Sequence, residues 1–355
     1  MNLDDTAAFA RLDQGNMLAE IDALPEQLGK AWELGRQHDL PQWSDVQNVV
    51  ICGLGGSAIG ADLLAAYALE RCRVPIIVHR DYDLPAWADG PRTLVIASSH
   101  SGNTEETLSS LAAAQSRGCR CLAITTGGKL AEASIKTGSP VWRFEHRGQP
   151  RAAVGYSFGL LLSVLARLGL LPDASEDLES AIRAMHAQQE SLRASVPAVK
   201  NQSKRIAGQL VGRWVVVIGS GLLAPVARRW KCQINELAKA VGQFDVLPEA
   251  DHNTLAGVLN PEATLGQSMI LFLRGSFEHP RNRLRSDLTR HAMMIEGLNT
   301  DFIDARGDTP LAQQWTCLHY GDYVGYYLAM AYGVDPAPVE AIQEFKRALQ
   351  EAGQG

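Results

Sequence analysis

Short apolar runs alternate along the chain with segments of helical periodicity, and several of the runs end in glycine or serine. In the first half the runs cover residues 46–52, 75–79, 92–97, 120–125 and 141–144. Buried strands separated by helices predict a parallel sheet with right-handed crossovers. Ligands of such sheets bind at the carboxyl ends of the strands, so the loops after 46–52 and 92–97 are the candidate site.

The segments that flank this sheet have other patterns. Residues 1–45 carry apolar side chains near the helical period, which predicts a lead-in helix pair and not a site. Residues 157–171 are apolar almost throughout, as expected of either a buried helix or an interface helix. Residues 172–205 are polar and helical in pattern, and we place a domain boundary within them.

The pattern of the first half returns after residue 213. Residues 214–221 repeat the apolar run and glycine turn of 49–55, and a helix is predicted over 227–241. The run 269–275 corresponds to 94–99, but its loop, 276–280, lacks the hydroxyls found in the first half. We therefore predict two tandem α/β domains, both doubly wound parallel sheets in αβα sandwiches. The predicted divisions are a helical lead-in (1–45), domain 1 (46–175), a connecting helix (176–205) and domain 2 (206–355).

The stretch 98–107 is crowded with hydroxyls and lies between a predicted strand and a predicted helix. The hydroxyls belong to Ser98, Ser99, Ser101, Thr104 and Thr107. Hydroxyls beside the free N–H groups of a helix N-terminus favour an anion. Because the loop lacks the lysine of a P-loop, a phosphomonoester of a small molecule is the favoured ligand. The alternative is that Ser101 or Asn103 only caps the helix.

Composition narrows the class of protein. The chain has 355 residues, of which 46% are hydrophobic, enough for two domains. Its 33 basic and 39 acidic residues give a net charge of −6 without long charged blocks, so neither nucleic acid nor a membrane surface is expected as partner. Six cysteines without zinc-ligand spacing predict no metal site. The acidic N-terminus and the lack of a long apolar run predict a cytoplasmic protein without membrane spans.

The chain resembles the sugar isomerase (SIS) family, and more closely its bifunctional phosphoglucose/phosphomannose isomerases. The resemblance implies SIS-type domains and reversible conversion of glucose 6-phosphate or mannose 6-phosphate to fructose 6-phosphate, without cofactor. The residues that carry it are spread over the chain: 53–59, 99–107, 149–152, 235–236, 252–253, 321–322 and 335–346.

The resemblance also implies roles for individual residues. Glu236 moves the proton between C1 and C2, Arg151 steadies the enediolate, and Lys346 closes the site. His252 opens the sugar ring from the partner subunit, which implies a homodimer. The remaining implied contacts are with the phosphate (Ser99, Ser101 and Thr104) and the sugar (Gly55, Gly56 and Ser57).

Two positions depart from the family pattern. Thr254 replaces a glutamate that often follows the motif histidine, which puts a role for that carboxylate in doubt. His100 replaces a common tyrosine, and we expect it on the solvent side, where the change is tolerated.

Other interpretations of the same residues stay open on the sequence alone. Glu236 at helical spacing from Lys239 is typical of a surface ion pair, and His252, Arg151 and Lys346 are equally typical of exposed polar positions. The glycine turn after 46–52 matches a dinucleotide-binding fingerprint, which favours an oxidoreductase. A sugar-phosphate sensor without catalysis is the remaining alternative.

Overall fold

The computed structural model describes residues 2–352, in which the strands form two parallel sheets, one of five strands and one of four. The first sheet contains β1 (Asn48–Cys52), β2 (Ile76–His79), β3 (Thr93–Ser98), β4 (Arg120–Thr125) and β5 (Val141–Arg143). Its order is β2-β1-β3-β4-β5, so the winding direction reverses between β1 and β3.

The second sheet repeats this arrangement. It contains β6 (Trp214–Ser220), β7 (Gly242–Leu247), β8 (Ser268–Arg274) and β9 (Asn299–Asp304). Its order, β7-β6-β8-β9, corresponds to β2-β1-β3-β4 of the first sheet. The predicted fold class of two doubly wound α/β units is confirmed.

Helices connect and cover the strands. Those of the first half are α1 (Thr6–Leu12), α2 (Met17–Asp22), α3 (Leu24–Gln37), α4 (Gly55–Ala68), α5 (Glu105–Ser116), α6 (Gly128–Lys136), α7 (Val154–Arg167) and α8 (Ser175–Gln189). Those of the second half are α9 (Gln202–Leu210), α10 (Ala224–Glu236), α11 (Glu262–Leu265), α12 (Pro280–Ile295), α13 (Pro310–Tyr332) and α14 (Glu340–Ala352). Short 3₁₀ turns occur at Pro150–Ala153, Gly221–Leu223, Glu249–His252 and Thr254–Gly257.

The main hydrophobic core lies between the two sheets. It joins the apolar faces of α4, α7, α10 and α13 with those of the N-terminal helices, while two smaller clusters cover the outer faces of the sheets. Helix α7 is buried along nearly its whole length within this core. The apolar stretch 157–171 is therefore explained by burial, and the interface interpretation of it is wrong.

The lead-in contains three helices, α1 to α3, where a pair was predicted. No helix in the described part of the chain combines the length and the apolar composition that crossing a bilayer requires.

Candidate active site

The glycine turn and the hydroxyl-rich loop both lie at the carboxyl end of the first sheet. Helix α4 begins at Gly55, directly after the turn that follows β1. A Cβ at Gly56 would lie 2.6 Å from the carbonyl oxygen of Pro150. Only glycine therefore lets the first turn of α4 approach the Pro150–Ala153 turn this closely.

The hydroxyl loop, residues 99–104, is held by its own side chains. Ser99 is buried, and its Oγ lies 2.9 Å from Oγ1 of Thr104 and accepts the Gly102 N–H at 3.2 Å. Gly102 has φ +68°, and a Cβ there would collide with the carbonyl oxygen of Gly127. The loop is thus fixed before any ligand arrives, with Ser99 behind it and Ser101 exposed.

The N-terminus of α5 carries no side-chain cap. Thr104 occupies the N-cap position, but its hydroxyl pairs with Ser99 and not with the helix. Asn103 instead accepts the Lys129 N–H at 3.2 Å, at the start of α6. The interpretation of Ser101 or Asn103 as a mere cap of α5 is wrong. Free N–H groups at this helix end leave a partial positive charge where the loop opens.

Arg151 reaches the same region from the Pro150–Ala153 turn. Its side chain is only 3% exposed, and Nη2 donates to the carbonyl oxygens of Pro336 (2.7 Å) and Ala337 (2.6 Å). Nη1 lies 3.6 Å from Oε2 of Glu236. Burial lowers the pKa of Arg151 and the carboxylate of Glu236 opposes that shift, but a guanidinium stays charged at neutral pH.

Sequence reasoning missed the groups that hold Arg151 in place. Arg229 donates to the Arg151 carbonyl oxygen at 2.8 Å and forms a buried, two-bond pair with Asp322 at 3.0 and 2.8 Å. Gln27 of α3 donates to the next carbonyl, that of Ala152, at 2.9 Å. Arg229 lies two helical turns before Glu236, and that spacing on one face of α10 was the available signal.

Glu236 is the last residue of α10, and its side chain is 27% exposed. Its carboxylate faces Arg151, whereas Lys239 donates to the backbone carbonyl of Glu236 at 2.7 Å. Glu236 therefore forms a half-buried pair with Arg151, and not the surface pair with Lys239 that was the alternative on sequence alone. A carboxylate held beside a buried cation can exchange a proton with a ligand and face the negative charge that results.

These groups surround one cavity of about 330 Å³. Its floor is the glycine turn and the hydroxyl loop, and its wall on the other side is the C-terminal helix α14. The lining residues are Leu54, Gly55, Gly56, Ser57, His100, Ser101, Thr104, Glu106, Gln149, Pro150, Arg151, Glu236, Val339, Ile342, Gln343 and Lys346.

Two of the predicted site residues do not line this cavity. Ser99 lies beneath the loop, and His252 is exposed in the Glu249–His252 turn that follows β7. The hydroxyl of Thr254, the position that departs from the family pattern, donates to the Asp245 carboxylate. Within one chain the structure thus brings Arg151, Glu236 and Lys346 together without His252.

His100 is half-buried, where a solvent-side position was expected. Its imidazole packs edge-on against Phe144, with ring centroids 5.8 Å apart, and its Nε2 lies 3.0 Å from Nδ1 of His146. His100 also lines the cavity.

The described residues contain no group of three or more His, Cys, Asp or Glu side chains arranged to hold a metal ion.

Comparison with known proteins places the chain among sugar-phosphate enzymes. Residues 199–349 match the model of the bacterial phospho-glucose isomerase C-terminal SIS domain. A bifunctional phosphoglucose/phosphomannose isomerase of Caldicellulosiruptor bescii is 41% identical over 339 residues, 94% of this chain and 99% of that protein. The protein of the same name from Aquifex aeolicus is 34% identical over 87% of this chain and 95% of its own length.

A solved structure shares the fold at low identity. The C-terminal domain of glucosamine-fructose-6-phosphate aminotransferase from Francisella tularensis superposes with a TM-score of 0.73 at 16% identity, covering 91% of this chain and 98% of that one. At this identity the likeness concerns the fold.

Proposed function

The chain belongs to the family of bifunctional phosphoglucose/phosphomannose isomerases, and we propose that it interconverts hexose 6-phosphates. The aldose is glucose 6-phosphate or mannose 6-phosphate, and the ketose is fructose 6-phosphate. One observation carries this proposal: a single cavity joins the hydroxyl loop to the Arg151–Glu236 pair. A phosphate and a reacting carbon therefore have separate partners within reach of one small molecule.

The phosphate binds at the hydroxyl loop, where Ser101, Thr104 and the N-terminus of α5 supply donors. The sugar extends past Gly55, Gly56 and Ser57 toward Glu236. The Glu236 carboxylate removes the proton from C2 of the open-chain aldose and later delivers it to C1. The intermediate is a cis-enediolate. Its negative oxygen faces Arg151, and the fixed positive charge of this arginine stabilises it. The O2 hydroxyl loses its proton as the new carbonyl forms, and O1 gains one.

A homodimer is part of this proposal, with His252 entering the cavity of the other subunit to open the sugar ring. Support comes from the exposed position of His252 outside its own cavity. Helix α14, which carries Lys346 to the cavity, exposes an apolar face suited to burial by a second subunit. That face includes Phe345 and Leu349, which do not line the cavity.

A coupled assay that offers glucose 6-phosphate and mannose 6-phosphate separately tests the activity, in excess chelator. We expect full turnover in chelator for the wild type and a loss of about 10³-fold or more in Glu236→Gln, since Gln cannot carry the proton. The variant should still bind sugar phosphate. Glu132→Gln, an exposed glutamate of α6 outside the cavity, is the matched control. Undiminished turnover in Glu236→Gln would contradict the assignment.

Mixed dimers test the role of His252. A dimer of one His252→Ala and one Glu236→Gln subunit contains one intact site only when His252 acts across the interface. Random mixing should then restore about a quarter of wild-type activity, since half the dimers are mixed and each has one good site of two. A mixture as inactive as its components, or a monomeric mass by light scattering, would refute the shared site.

A cytoplasmic location is also proposed. It is supported by six free cysteines, at positions 52, 72, 119, 121, 232 and 317.

A further inference from the structure

A chain of three hydrogen-bonded side chains runs from the N-terminal helices to the cavity. Glu20 of α2 lies 3.1 Å from Nε2 of His146, and Nδ1 of His146 lies 3.0 Å from Nε2 of His100. His146 is 7% exposed, and the rings of Phe144 and Tyr156 pack around the two imidazoles. The chain is therefore built into the wall of the site.

The carboxylate of Glu20 determines which nitrogen donates in each bond of the Glu20–His146–His100 hydrogen-bond chain. Because an ionised carboxylate only accepts, Nε2 of His146 carries a proton and Nδ1 of a neutral His146 is an acceptor. Nε2 of His100 must then donate, which leaves Nδ1 of a neutral His100 with a lone pair. No described residue bonds to this Nδ1, and the atom is not sealed from solvent.

One added proton reverses the hydrogen bond between His100 and His146 and leaves the direction of the bond to Glu20 unchanged. A proton from water enters at Nδ1 of His100, and the proton on its Nε2 passes to Nδ1 of His146. His146 is then an imidazolium bonded to the Glu20 carboxylate, and His100 is neutral with an N–H at Nδ1. The site thus presents a donor where it presented an acceptor.

The local electrostatics favour this location of the charge. Burial, with repulsion from His146, lowers the pKa of His100 to about 4, so the positive charge does not remain on His100. The hydrogen bond from His146 lowers the pKa of Glu20, which keeps that carboxylate ionised. Other charged groups face the cavity from α5, the Pro150–Ala153 turn, α10 and α14, and none of them bonds to His100. They are Glu106, Arg151, Glu236 and Lys346.

We propose that His100 binds the substrate phosphate through Nδ1, and that the phosphate dianion, when it binds, draws one proton into the Glu20–His146–His100 hydrogen-bond chain. The inference rests on the phosphate position proposed above. An acceptor beside a dianion is repulsive, whereas a donor makes a charge-assisted hydrogen bond, so the phosphate selects the protonated chain. His146 and Glu20 are positioning residues that set the polarity of His100.

Calorimetric titration measures this uptake directly. The ligand is glucitol 6-phosphate, which has no carbonyl and cannot isomerise, and the titrations use two buffers of different ionisation enthalpy at pH 7.5. A phosphate monoester is mostly dianionic there, with a second pKa near 6, so its own protonation contributes little. We expect uptake of up to about one proton per site in the wild type, and dissociation constants that rise with pH.

Three variants identify the groups involved. His146→Asn leaves His100 in place but removes the acceptor of the proton, and His100→Phe removes the chain at the cavity; both should bind without uptake. Glu20→Gln should show a smaller uptake than the wild type, because the imidazolium loses its counter-charge. His186→Asn, from an exposed His–Glu pair outside the cavity, should match the wild type.

The outcomes separate this inference from the proposed function. Binding without proton uptake by the wild type, or equal uptake in His146→Asn, would overturn the proton chain and leave the phosphate position intact. No binding of glucitol 6-phosphate by folded protein would overturn both.

Discussion

Each sheet has a corresponding loop between a central strand and the next helix, and the two loops differ in the side chains that occupy them. In the first domain, the hydroxyl loop between β3 and α5 leaves the start of α5 uncapped and opens onto the cavity. In the second domain, the corresponding residues 275–279, here called the carboxylate loop, join β8 to α12.

The carboxylate loop is filled by its own side chains. Glu278 accepts the Gly275 N–H at 2.9 Å and the Ser220 hydroxyl, so it bridges the ends of β8 and β6. His279 caps α12 by accepting the Arg281 N–H at 3.2 Å, and Gln313 accepts the Ser276 N–H at 2.8 Å. An internal carboxyl group thus occupies the kind of position that is left open in the first domain. The fold provides this position twice, and the side chains decide which copy stays open to a ligand.

The second domain contributes support in place of a ligand site. Arg229 and Asp322, from α10 and α13, form the buried pair that holds the backbone of Arg151. Glu236 comes from the same α10. The cavity therefore joins the hydroxyl loop of one domain to the Arg151–Glu236 pair, which depends on the other.

Breaking this support is expected to have the largest effect. Asp322→Ala leaves the Arg229 guanidinium buried and unpaired, which should lower the free energy of unfolding by about 3–5 kcal/mol. Arg151 loses its fixed position, so turnover of the folded fraction should fall as well. Urea unfolding and the coupled assay measure the two losses.

A second ion pair provides the matched control. Arg274 and Asp304 form a two-bond pair at 2.8 and 3.1 Å, but Asp304 is 67% exposed. Asp304→Ala should cost about 1 kcal/mol or less. Equal losses in the two variants would mean that the buried pair has no special role.

Converting the first loop toward the second should have the next largest effect. Ser101→Asp places a carboxylate at the open loop, as Glu278 does in the second domain. Repulsion at close range should weaken binding of glucitol 6-phosphate by about 100-fold or more. Calorimetry measures the change, with the thermal midpoint as a check on folding.

Two control variants test whether the charge and its position cause this loss of affinity. Ser101→Ala removes one hydroxyl and should weaken binding about tenfold, the scale of one hydrogen bond. Ser116→Asp adds the same charge at the exposed far end of α5 and should leave binding unchanged. Full affinity in Ser101→Asp would show that the phosphate binds elsewhere.

The strands that sequence reasoning found and missed differ in burial. The central strands β1, β3, β6 and β8 are nearly continuous apolar runs because both faces of the sheet are covered. The edge strands β7 and β9 mix polar and half-buried positions, so no apolar run marked them. Pattern thus identifies the strands that have neighbours on both sides, and it identifies edge strands only where they are mostly apolar, as β2 and β5 are.

The residues of the site also divide into those that sequence reasoning found and those that it missed. Short local motifs identified the glycine turn and the hydroxyl loop, and the resemblance to the family identified Arg151 and Glu236. The Arg229–Asp322 pair and the Glu20–His146–His100 chain join residues from distant parts of the sequence. Such contacts depend on tertiary packing, and the same cause explains why the contact between His100 and His146 was not predicted.

Removing the internal charge of the carboxylate loop should have the smallest effect, and it depends on pH. Burial raises the pKa of Glu278, so the folded protein holds the proton more tightly than the unfolded chain does. The stability that this group contributes is fully present below its unfolded pKa, near 4.5, and is lost as pH rises through the folded pKa. Glu278→Gln imitates the protonated form, so it should match the wild type well below pH 4.5 and be more stable than the wild type at pH 7. Urea unfolding at a series of pH values measures the difference, with Glu296→Gln, an exposed glutamate at the end of α12, as control. A wild type that gains stability over Glu278→Gln as pH rises would show that the carboxylate loop favours the charged form, as an anion site would.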